Sequence, residues 1–330
     1  VDAIAGQPIE FMVKWTAAAR NGFEALRIGV RPPDPADLFE QAITSAAGAD
    51  VAIVVVGTND EWETEGFDRE TMHLPGRQDE LVEAVSATNP NTIVVVNAGS
   101  PVTMDWAADG HPTPAPAVVT SFFAGQEQAE AMVDVLLGDA DAGGRLPITY
   151  PARLEDHPAI DNHIPDHSGN GPPVQRYEEG LFIGHRHYER AGVAPRFWFG
   201  HGLSYGTATW GSVDISTRRC RRSALTEHPV MVDVPLHNDG PSPATVVVQA
   251  YIVPIAPPVE RPTRELKAWA KTVVTPGSST VVQLALGPAA FHHWDESAND
   301  WTIAPGDYNI VIAHSSAPDA EHTRTRITPI

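Results

Sequence analysis

The chain has 330 residues, and 42 acidic against 22 basic side chains leave a formal net charge of -20. This length is sufficient for two or three domains, each with its own apolar core. An acidic surface repels nucleic acids and anionic membranes, so neither is an expected partner, and a neutral substrate such as a sugar fits better. The single cysteine, Cys220, excludes an intramolecular disulfide and a cysteine-rich zinc site.

Targeting signals are absent from the sequence. No apolar run reaches the ~20 residues that a membrane helix needs, and the first residues lack the basic and apolar regions of a signal peptide. We therefore expect a soluble chain, with secreted and cytoplasmic locations both open. The sequence begins without methionine in a strand-like segment, which indicates a processed or truncated product.

Residues 1–33 contain two β-like runs, at residues 9–17 and 25–30, separated by the turn signal Asn21-Gly22. Two strands cannot bury enough surface to be stable alone. We expect them to pair with strands of another chain or of an absent segment. The proline-rich residues 31–35 end this region, because consecutive prolines cannot continue a strand.

Residues 34–206 begin with alternating helix-compatible and apolar segments. Helices are predicted at residues 37–47, 79–87 and 126–137, and strands at residues 51–56, 92–96 and 116–123. Since the apolar runs are continuous, we expect strands that are buried on both faces in a mostly parallel sheet covered by helices. Residues 152–206 have no sustained period, but their aromatic side chains favour an ordered excursion over a flexible linker.

Helical signals vanish beyond residue 207. Alternating strands are predicted at residues 230–236, 244–252, 268–274, 280–286 and 306–313, with turn signals between them. This spacing is typical of an all-β sandwich of immunoglobulin or fibronectin type. The predicted fold class is therefore α/β plus all-β, with a mostly parallel α/β sandwich domain at residues 34–206 and a β-sandwich at residues 207–330.

The most informative segment is GTNDEWETEGFDRETMHLPG, at residues 57–76, which follows the first predicted strand of the α/β domain. Ligands in open α/β sheets bind beyond the carboxyl ends of the strands, so this loop is well placed for a site. Mutual repulsion and partial burial of its carboxyl groups would raise their pKa values, as a general acid near neutral pH requires. The carboxyl groups belong to Asp60, Glu61, Glu63, Glu65 and Asp68.

Two neighbours strengthen the interpretation of this loop as a site. Gly66 removes a side chain beside Glu65 and would allow the close approach of a ligand or another backbone, and Trp62 offers an apolar face for a sugar ring. The alternative is a solvated acidic loop, which is common in proteins. The residue pattern alone identifies a candidate site without a reaction.

Several segments, in order, resemble family 3 glycoside hydrolases of the β-glucosidase type from about Asp34 to the end of the chain. They include ADVAIVVVGTNDEWETEGFDRETMHLPGRQDELVEAV, FFAGQEQAEAMVDVLLGDADAGGRLPITYP, EEGLFIGHRHYERAGVAPRFWFGHGLSY and RPTRELKAWAKTVVTPGSSTVV. The resemblance implies the family's C-terminal α/β sandwich domain and a fibronectin type III-like domain. AGQPIEFMVKW and RIGVRPP resemble the end of a protective-antigen-like insert, so residues 1–33 would be two strands of an incomplete β-sandwich.

The resemblance also implies a chemistry. Such enzymes are retaining and pair a carboxylate nucleophile with a carboxylic acid/base. Glu65 matches the acid/base, since it directly precedes the Gly-aromatic-Asp-Arg signature; Glu63 is the runner-up, and Trp62 either lines the sugar site or anchors the loop. The nucleophilic aspartate of the family lies in an N-terminal barrel that this chain lacks, and the neighbours Asp105-Trp106 do not match its context. The chain is therefore expected to be inactive alone and to need a barrel from another chain or a missing segment.

Other functions are less consistent with the residues. The pairs His185/His187 and His292/His293 have no further ligands nearby, Ser100 and Ser121 lack a G-x-S-x-G elbow, and Gly99 and Gly143 belong to no phosphate loop, so we expect no metal and no cofactor. The aromatic segment FWFGHGLSY is expected to join the two domains. Three hypotheses remain: a β-glucosidase or β-xylosidase portion, a non-catalytic carbohydrate-binding or scaffold chain, and a cell-surface interaction protein.

Overall fold

The computed structural model describes residues 10–14, 37–66, 69–162 and 171–330. Residues 10–14 of the first predicted strand are exposed and have no regular secondary structure. The rest of the two predicted N-terminal strands lies outside the described residues.

The α/β domain is built on a parallel sheet. It begins with α1 (Leu38–Ala47), β1 (Ala52–Gly57), α2 (Gln78–Thr88), β2 (Thr92–Asn97) and β3 (Ala117–Thr120). The described strands pair in the order β1-β2-β3, and both pairs are parallel. Apolar side chains of the strands and of α2 meet in one core around the fully buried Trp106. The predicted parallel sheet is thus confirmed.

Burial on both faces, which we expected for every strand, holds for β2 but not for β1. Val94, Val95 and Val96 of β2 are all buried, whereas Ile53 and Val55 of β1 are 52% and 68% exposed. The helices α1 and α2 cover one face of β1. The continuous apolar run was therefore misleading, because apolar composition does not distinguish a covered face from an open one.

In its described residues, the segment after the sheet has ordered structure, as predicted. It contains α3 (Gln128–Leu137), which ends at Gly138 with a φ of 82°, and α4 (His185–Ala191), which the sequence pattern did not indicate. A left-handed residue at this position is the usual glycine stop of a helix. Apart from a 3-10 turn at Leu154–Asp156 and an isolated bridge between Tyr150 and Phe197, the described parts of residues 138–206 otherwise consist of turns and irregular chain.

The C-terminal domain is a β-sandwich. One sheet has the order β10-β7-β4, with β5 also paired to β7, and the other has the order β6-β14-β13-β8-β9. Apolar side chains from both sheets form a single core. The strands are β4 (Thr209–Trp210), β5 (Asp214–Ile215), β6 (Arg219–Cys220), β7 (Val230–His237), β8 (Ala244–Pro254), β9 (Glu265–Val274), β10 (Ser279–Leu286), β13 (Tyr308–Ala313) and β14 (Glu321–Pro329).

A helical turn and a hairpin connect the two sheets. The short helix α5 (Pro288–Phe291) is followed by β11 (His292–Asp295) and β12 (Asp300–Ile303), which pair only with each other. The five strands predicted for this domain are confirmed. The hairpin, β14 and the two-residue strands were missed because they are short or polar.

The two domains are joined by hydrogen bonds and an ion pair. Asp141 accepts hydrogen bonds from Thr245 N (3.2 Å) and Tyr205 N (2.8 Å), and Arg145 Nη2 donates to Thr245 O (3.0 Å). Arg264 of the sandwich pairs with Glu189 of α4 at 2.7 Å. The predicted joining role of FWFGHGLSY is confirmed, since its backbone bonds to both domains, to Tyr150 on one side and to Ser316 on the other.

Candidate active site

Three loops meet at one edge of the parallel sheet, because the carboxyl ends of β1, β2 and β3 all lie there. The acidic loop, residues 57–76, leaves β1; residues 98–101 follow β2, and residues 121–127 follow β3. This edge is the side on which ligands bind in open α/β sheets.

The start of the acidic loop is anchored by Gln78, the first residue of α2. Its side-chain oxygen accepts a hydrogen bond from Gly57 N (2.7 Å), and its side-chain nitrogen donates to Gly57 O (3.0 Å). Asn59 then forms a tight turn, since its carbonyl accepts hydrogen bonds from the N–H groups of Trp62 (2.9 Å) and Glu63 (2.8 Å). Two successive anchors therefore hold the chain up to Glu63.

Glu63 binds the loop that follows β2. Its side chain is 13% exposed and forms an ion pair with Arg69 at 3.1 Å. It also accepts hydrogen bonds from Ser100 Oγ (3.0 Å) and Gly99 N (3.0 Å). Arg69 donates a further hydrogen bond to Pro101 O (2.8 Å). Both carboxylate oxygens of Glu63 thus face donors of the protein itself.

Glu65, two residues further on, has the opposite environment. It is exposed, and its carboxyl group makes no hydrogen bond or ion pair with any residue that the structure describes. Nothing in those residues fills the space at Gly66, where an added Cβ would meet only Thr64 Oγ1, at 3.9 Å. The close approach that we expected at Gly66 is therefore not made within the described chain. Asp68 lies outside the described residues.

Trp62, directly before Glu63 in the acidic loop, is half-buried. Its indole Nε1 is buried, and no hydrogen-bond partner for it lies in the described part of the chain. Leaving such a donor unpaired costs about 1–3 kcal/mol. A water molecule or a ligand oxygen is the acceptor that would remove this cost.

The loop after β3 completes the edge. Phe122 has a φ of 52°, a left-handed conformation that is strained for a bulky residue. The Gln128 side chain fixes the loop, because its nitrogen donates to Ser121 Oγ (3.0 Å), Phe122 O (3.2 Å) and Asn97 Oδ1 (2.7 Å). Phe123 beside it is half-exposed at the same edge.

The neighbours Asp105-Trp106, the other carboxylate considered from the sequence, are engaged in contacts within the protein. Trp106 is fully buried, and its indole donates to Asp79 Oδ1 at 2.8 Å. Burial raises the pKa of Asp79, against the opposing effect of the Trp106 hydrogen bond. Asp105 forms an ion pair with Arg196 at 3.3 Å. Asp79 and Asp105 are thus each paired with a side chain of the protein.

Two of the candidate metal-binding histidines, His185 and His292, stack on aromatic rings. His185 stacks on Phe199 with ring centroids 5.3 Å apart, and His292 stacks on Trp301 at 6.5 Å. Within the described residues, no group of three or more His, Cys, Asp or Glu side chains is arranged to hold a metal ion. None of the described helices has the length and apolarity to span a bilayer.

Sequence reasoning missed the function of two residues in this edge. Ser100 was considered only as a hydrolase nucleophile, and Gly99 only as a turn residue. Gly99 has no left-handed φ; it lacks a side chain because an added Cβ would lie 2.6 Å from Glu63 Oε2 and 2.8 Å from the Phe123 ring. Their position directly after a buried strand at the carboxyl edge is the signal that could have identified them.

Comparison with known proteins agrees with this architecture. Residues 4–205 match the glycosyl hydrolase family 3 C-terminal domain, and residues 246–316 match the fibronectin type III-like domain. A β-glucosidase of Rhizobium radiobacter is 38% identical over 292 residues, which are 88% of this chain and 34% of that protein. A probable β-glucosidase I of Aspergillus clavatus is 37% identical over 277 residues, 84% of this chain and 32% of that protein.

Solved structures show the same fold. The β-glucosidase from Kluyveromyces marxianus, in complex with glucose, superimposes with a TM-score of 0.79 at 32% identity over 91% of this chain and 34% of that one. A family 3 β-glucosidase from Bifidobacterium adolescentis has a TM-score of 0.78 at 31% identity over 90% of this chain and 42% of that one.

An α/β domain that carries a carboxylate loop at its strand ends and adjoins a fibronectin-like sandwich defines a part of a glycoside hydrolase. The match to the C-terminal domain covers more than half of the sequence, so the chain belongs to glycoside hydrolase family 3. It spans about a third of the length of the curated relatives that it matches.

Proposed function

We propose that this chain supplies the general acid/base, Glu65, of an exo-acting retaining β-glucosidase. In the first step the Glu65 carboxyl group protonates the departing glycosidic oxygen, while an aspartate from the barrel domain attacks the anomeric carbon. In the second step the Glu65 carboxylate takes a proton from water, which displaces the aspartate from the glycosyl-enzyme. The sugar is released with retained configuration.

The observation that supports this proposal is the contrast between the two glutamates. Glu63 is held by donors of its own chain, whereas Glu65 is exposed and unpaired among the described residues, at the edge where three loops converge. A retaining mechanism needs its two carboxyl groups about 5–5.5 Å apart. An exposed Glu65 is accessible to a nucleophile on a second domain, whereas Glu63, with a side chain only 13% exposed, is occupied by donors of its own chain.

The substrate follows from the surroundings and the relatives. A neutral glucoside suits a chain with a net charge of -20, and the relatives named above are β-glucosidases. Trp62 would line the sugar site, where the unpaired indole N–H could donate to a sugar hydroxyl. No cofactor enters the mechanism.

The test uses the assembly in which this chain is joined to the barrel domain. We expect it to release glucose from an aryl β-glucoside, and we expect Glu65→Gln and Glu65→Ala to lower kcat by about 100- to 10,000-fold for substrates with poor leaving groups. Activated leaving groups need little protonation, so they should lose much less in the first step. Azide should accelerate turnover of Glu65→Ala by attacking the glycosyl-enzyme, because an anion needs no general base.

Glu61→Gln is the matched control, since it neutralises another exposed carboxylate of the same loop, and it should keep wild-type rates. Unchanged turnover of poor substrates by Glu65→Gln would reject the proposal and favour a non-catalytic carbohydrate-binding or scaffold chain. Faster release of xylose than of glucose from matched aryl glycosides would identify a β-xylosidase instead.

A further inference from the structure

Among the residues that the structure describes, none pairs with the Glu65 carboxyl group, although an acid/base must be kept within about 0.5 Å of its productive position. Within this chain, the contacts that can place Glu65 are those of the loop around it. We propose that Glu63 is a positioning residue, which fixes the acidic loop to the residues after β2 and so sets the place of Glu65. This inference rests on the proposed function of Glu65.

We call the three contacts of the Glu63 carboxylate the Glu63 clamp. One contact is with Arg69, which follows Glu65 in the sequence, and the other two are with Gly99 and Ser100 of the loop after β2. Arg69 in turn donates to Pro101 O at 2.8 Å. The segment from residue 63 to residue 69 is thus tied at both ends to the same short loop, and Glu65 lies between the ties.

The clamp has little room for movement. A Cβ at position 99 would lie 2.6 Å from Glu63 Oε2 and 2.8 Å from two atoms of the Phe123 ring. The Glu63 carboxylate therefore sits against the backbone of the second loop, and that backbone sits against a side chain of the third. A bulkier residue at position 99 must displace Glu63, Phe123 or both.

The same contacts argue against Glu63 as the proton donor. Its two oxygens face a guanidinium, a hydroxyl and a backbone N–H, all of which require an acceptor. At 13% exposure it is also shielded from a substrate. This environment therefore suits a residue that positions the loop and does not itself transfer a proton.

The experiment compares Glu63→Gln, Ser100→Ala and Gly99→Ala with the control Glu61→Gln, in the assembly that contains the barrel. Small displacements of a catalytic group cost up to about 100-fold in rate. We expect kcat for poor-leaving-group glucosides to fall about 10- to 100-fold in Glu63→Gln and Gly99→Ala, and less in Ser100→Ala, with KM changed by less than about threefold. Because all three changes act on one clamp, Glu63→Gln combined with Gly99→Ala should be little worse than either alone.

Azide separates positioning from proton transfer. It should restore turnover of Glu65→Ala but not of Glu63→Ala, whose acid/base is present and misplaced. Equal rescue of Glu63→Ala would make Glu63 the acid/base and overturn the inference. Ser100→Ala removes one hydroxyl and is the variant least able to disturb folding; thermal unfolding midpoints check that each variant is folded.

Two failures are distinguishable. If Glu65→Gln loses activity while Glu63→Gln, Ser100→Ala and Gly99→Ala all behave like Glu61→Gln, the clamp is refuted and the proposed function stands. If Glu65→Gln keeps full activity, the proposed function fails, and the clamp role fails with it.

Discussion

Gly57 is the residue on which the acidic loop turns away from the sheet. It pairs with Asn97 at the carboxyl ends of β1 and β2, and a Cβ placed on it would lie 1.9 Å from Asn97 O. Its N–H and C=O are both bonded by the Gln78 side chain. The absence of a side chain here allows the two loops that carry Glu63 and Ser100 to begin side by side.

Gly57→Ala should destabilise the α/β domain by about 3 kcal/mol or more, because the clash is with backbone and cannot be relieved by a rotamer change. Urea unfolding of the variant and the parent chain measures the difference. Gly48→Ala is the control: its nearest neighbours lie 3.9 Å or more from an added Cβ, and its φ is -94°. That substitution should be neutral or slightly stabilising, and equal losses in both variants would contradict the steric argument.

At the scale of elements, the hairpin of β11 and β12 stands apart from both sheets of the sandwich. Trp294 pairs with Trp301 across the strands, and the two rings meet edge to face with centroids 5.6 Å apart. His292 adds a stacked contact to Trp301. An isolated two-stranded hairpin is marginal in water, so these cross-strand contacts are its main local support.

Trp301→Val keeps a good strand former but removes the aromatic pair. We expect a loss of about 0.5–1.5 kcal/mol, concentrated in the hairpin, with faster amide exchange for residues 292–303. Trp269→Val is the matched control, since Trp269 is 66% exposed on β9 and has no aromatic ring contact in the described chain. Comparable exchange in the hairpin of both variants would show that the Trp pair does not hold it.

At the scale of the whole molecule, the junction between the domains contains partly buried polar groups. Burial raises the pKa of Asp141, but the hydrogen bonds from Thr245, Ser204 and Tyr205 outweigh burial and hold this pKa below its usual value. Burial, with the nearby cations Arg186 and Arg264, lowers the pKa of His185 to about 4. Both groups therefore favour the assembled junction at neutral pH and oppose it in acid.

The sign of the His185 effect is set by its folded pKa of about 4, which is below the ordinary histidine value of 6.5. Between these pH values the unfolded chain binds more protons, so stability falls as pH decreases from 6.5 toward 4, by at most about 3 kcal/mol. His185→Phe should flatten this part of the curve of unfolding free energy against pH. If the unfolding free energy of His185→Phe changed between pH 4.5 and 6.5 by the same amount as that of the parent chain, within about 0.5 kcal/mol, His185 would not be the source of this pH dependence.

The proposed assembly of this chain with a barrel domain predicts a change in amide exchange. A catalytic pair shared between two domains needs a large and rigid contact, so the acidic loop of residues 57–76 should become protected from amide exchange when the barrel is present. Residues 292–303, in the sandwich, are the internal reference and should not change. Equal exchange of the loop in the chain alone and in the assembly would argue against a shared site.

Much of this organisation could be predicted from the sequence, for physical reasons that are local. Helix and strand periods, the glycine stop at Gly138 and the alternating strands of the sandwich depend on neighbours in the chain. The resemblance of the acidic loop made Glu65 the candidate acid/base and Glu63 the runner-up. The exposed face of β1 could not be predicted, because Ile53 and Val55 are apolar whether or not another layer covers them.

The tertiary structure decided which of two nearby glutamates is held by other residues of the described chain. Glu63 and Glu65 differ by two positions and share their chemistry, and only the fold brings Arg69, Gly99 and Ser100 to one of them. The hydrogen bonds to Gly99 and Ser100 span 36 and 37 residues, a separation at which no local pattern carries information. The composition and order of the segments determined what kind of chain this is; long-range contacts at the end of the sheet determined what each carboxylate in it can do.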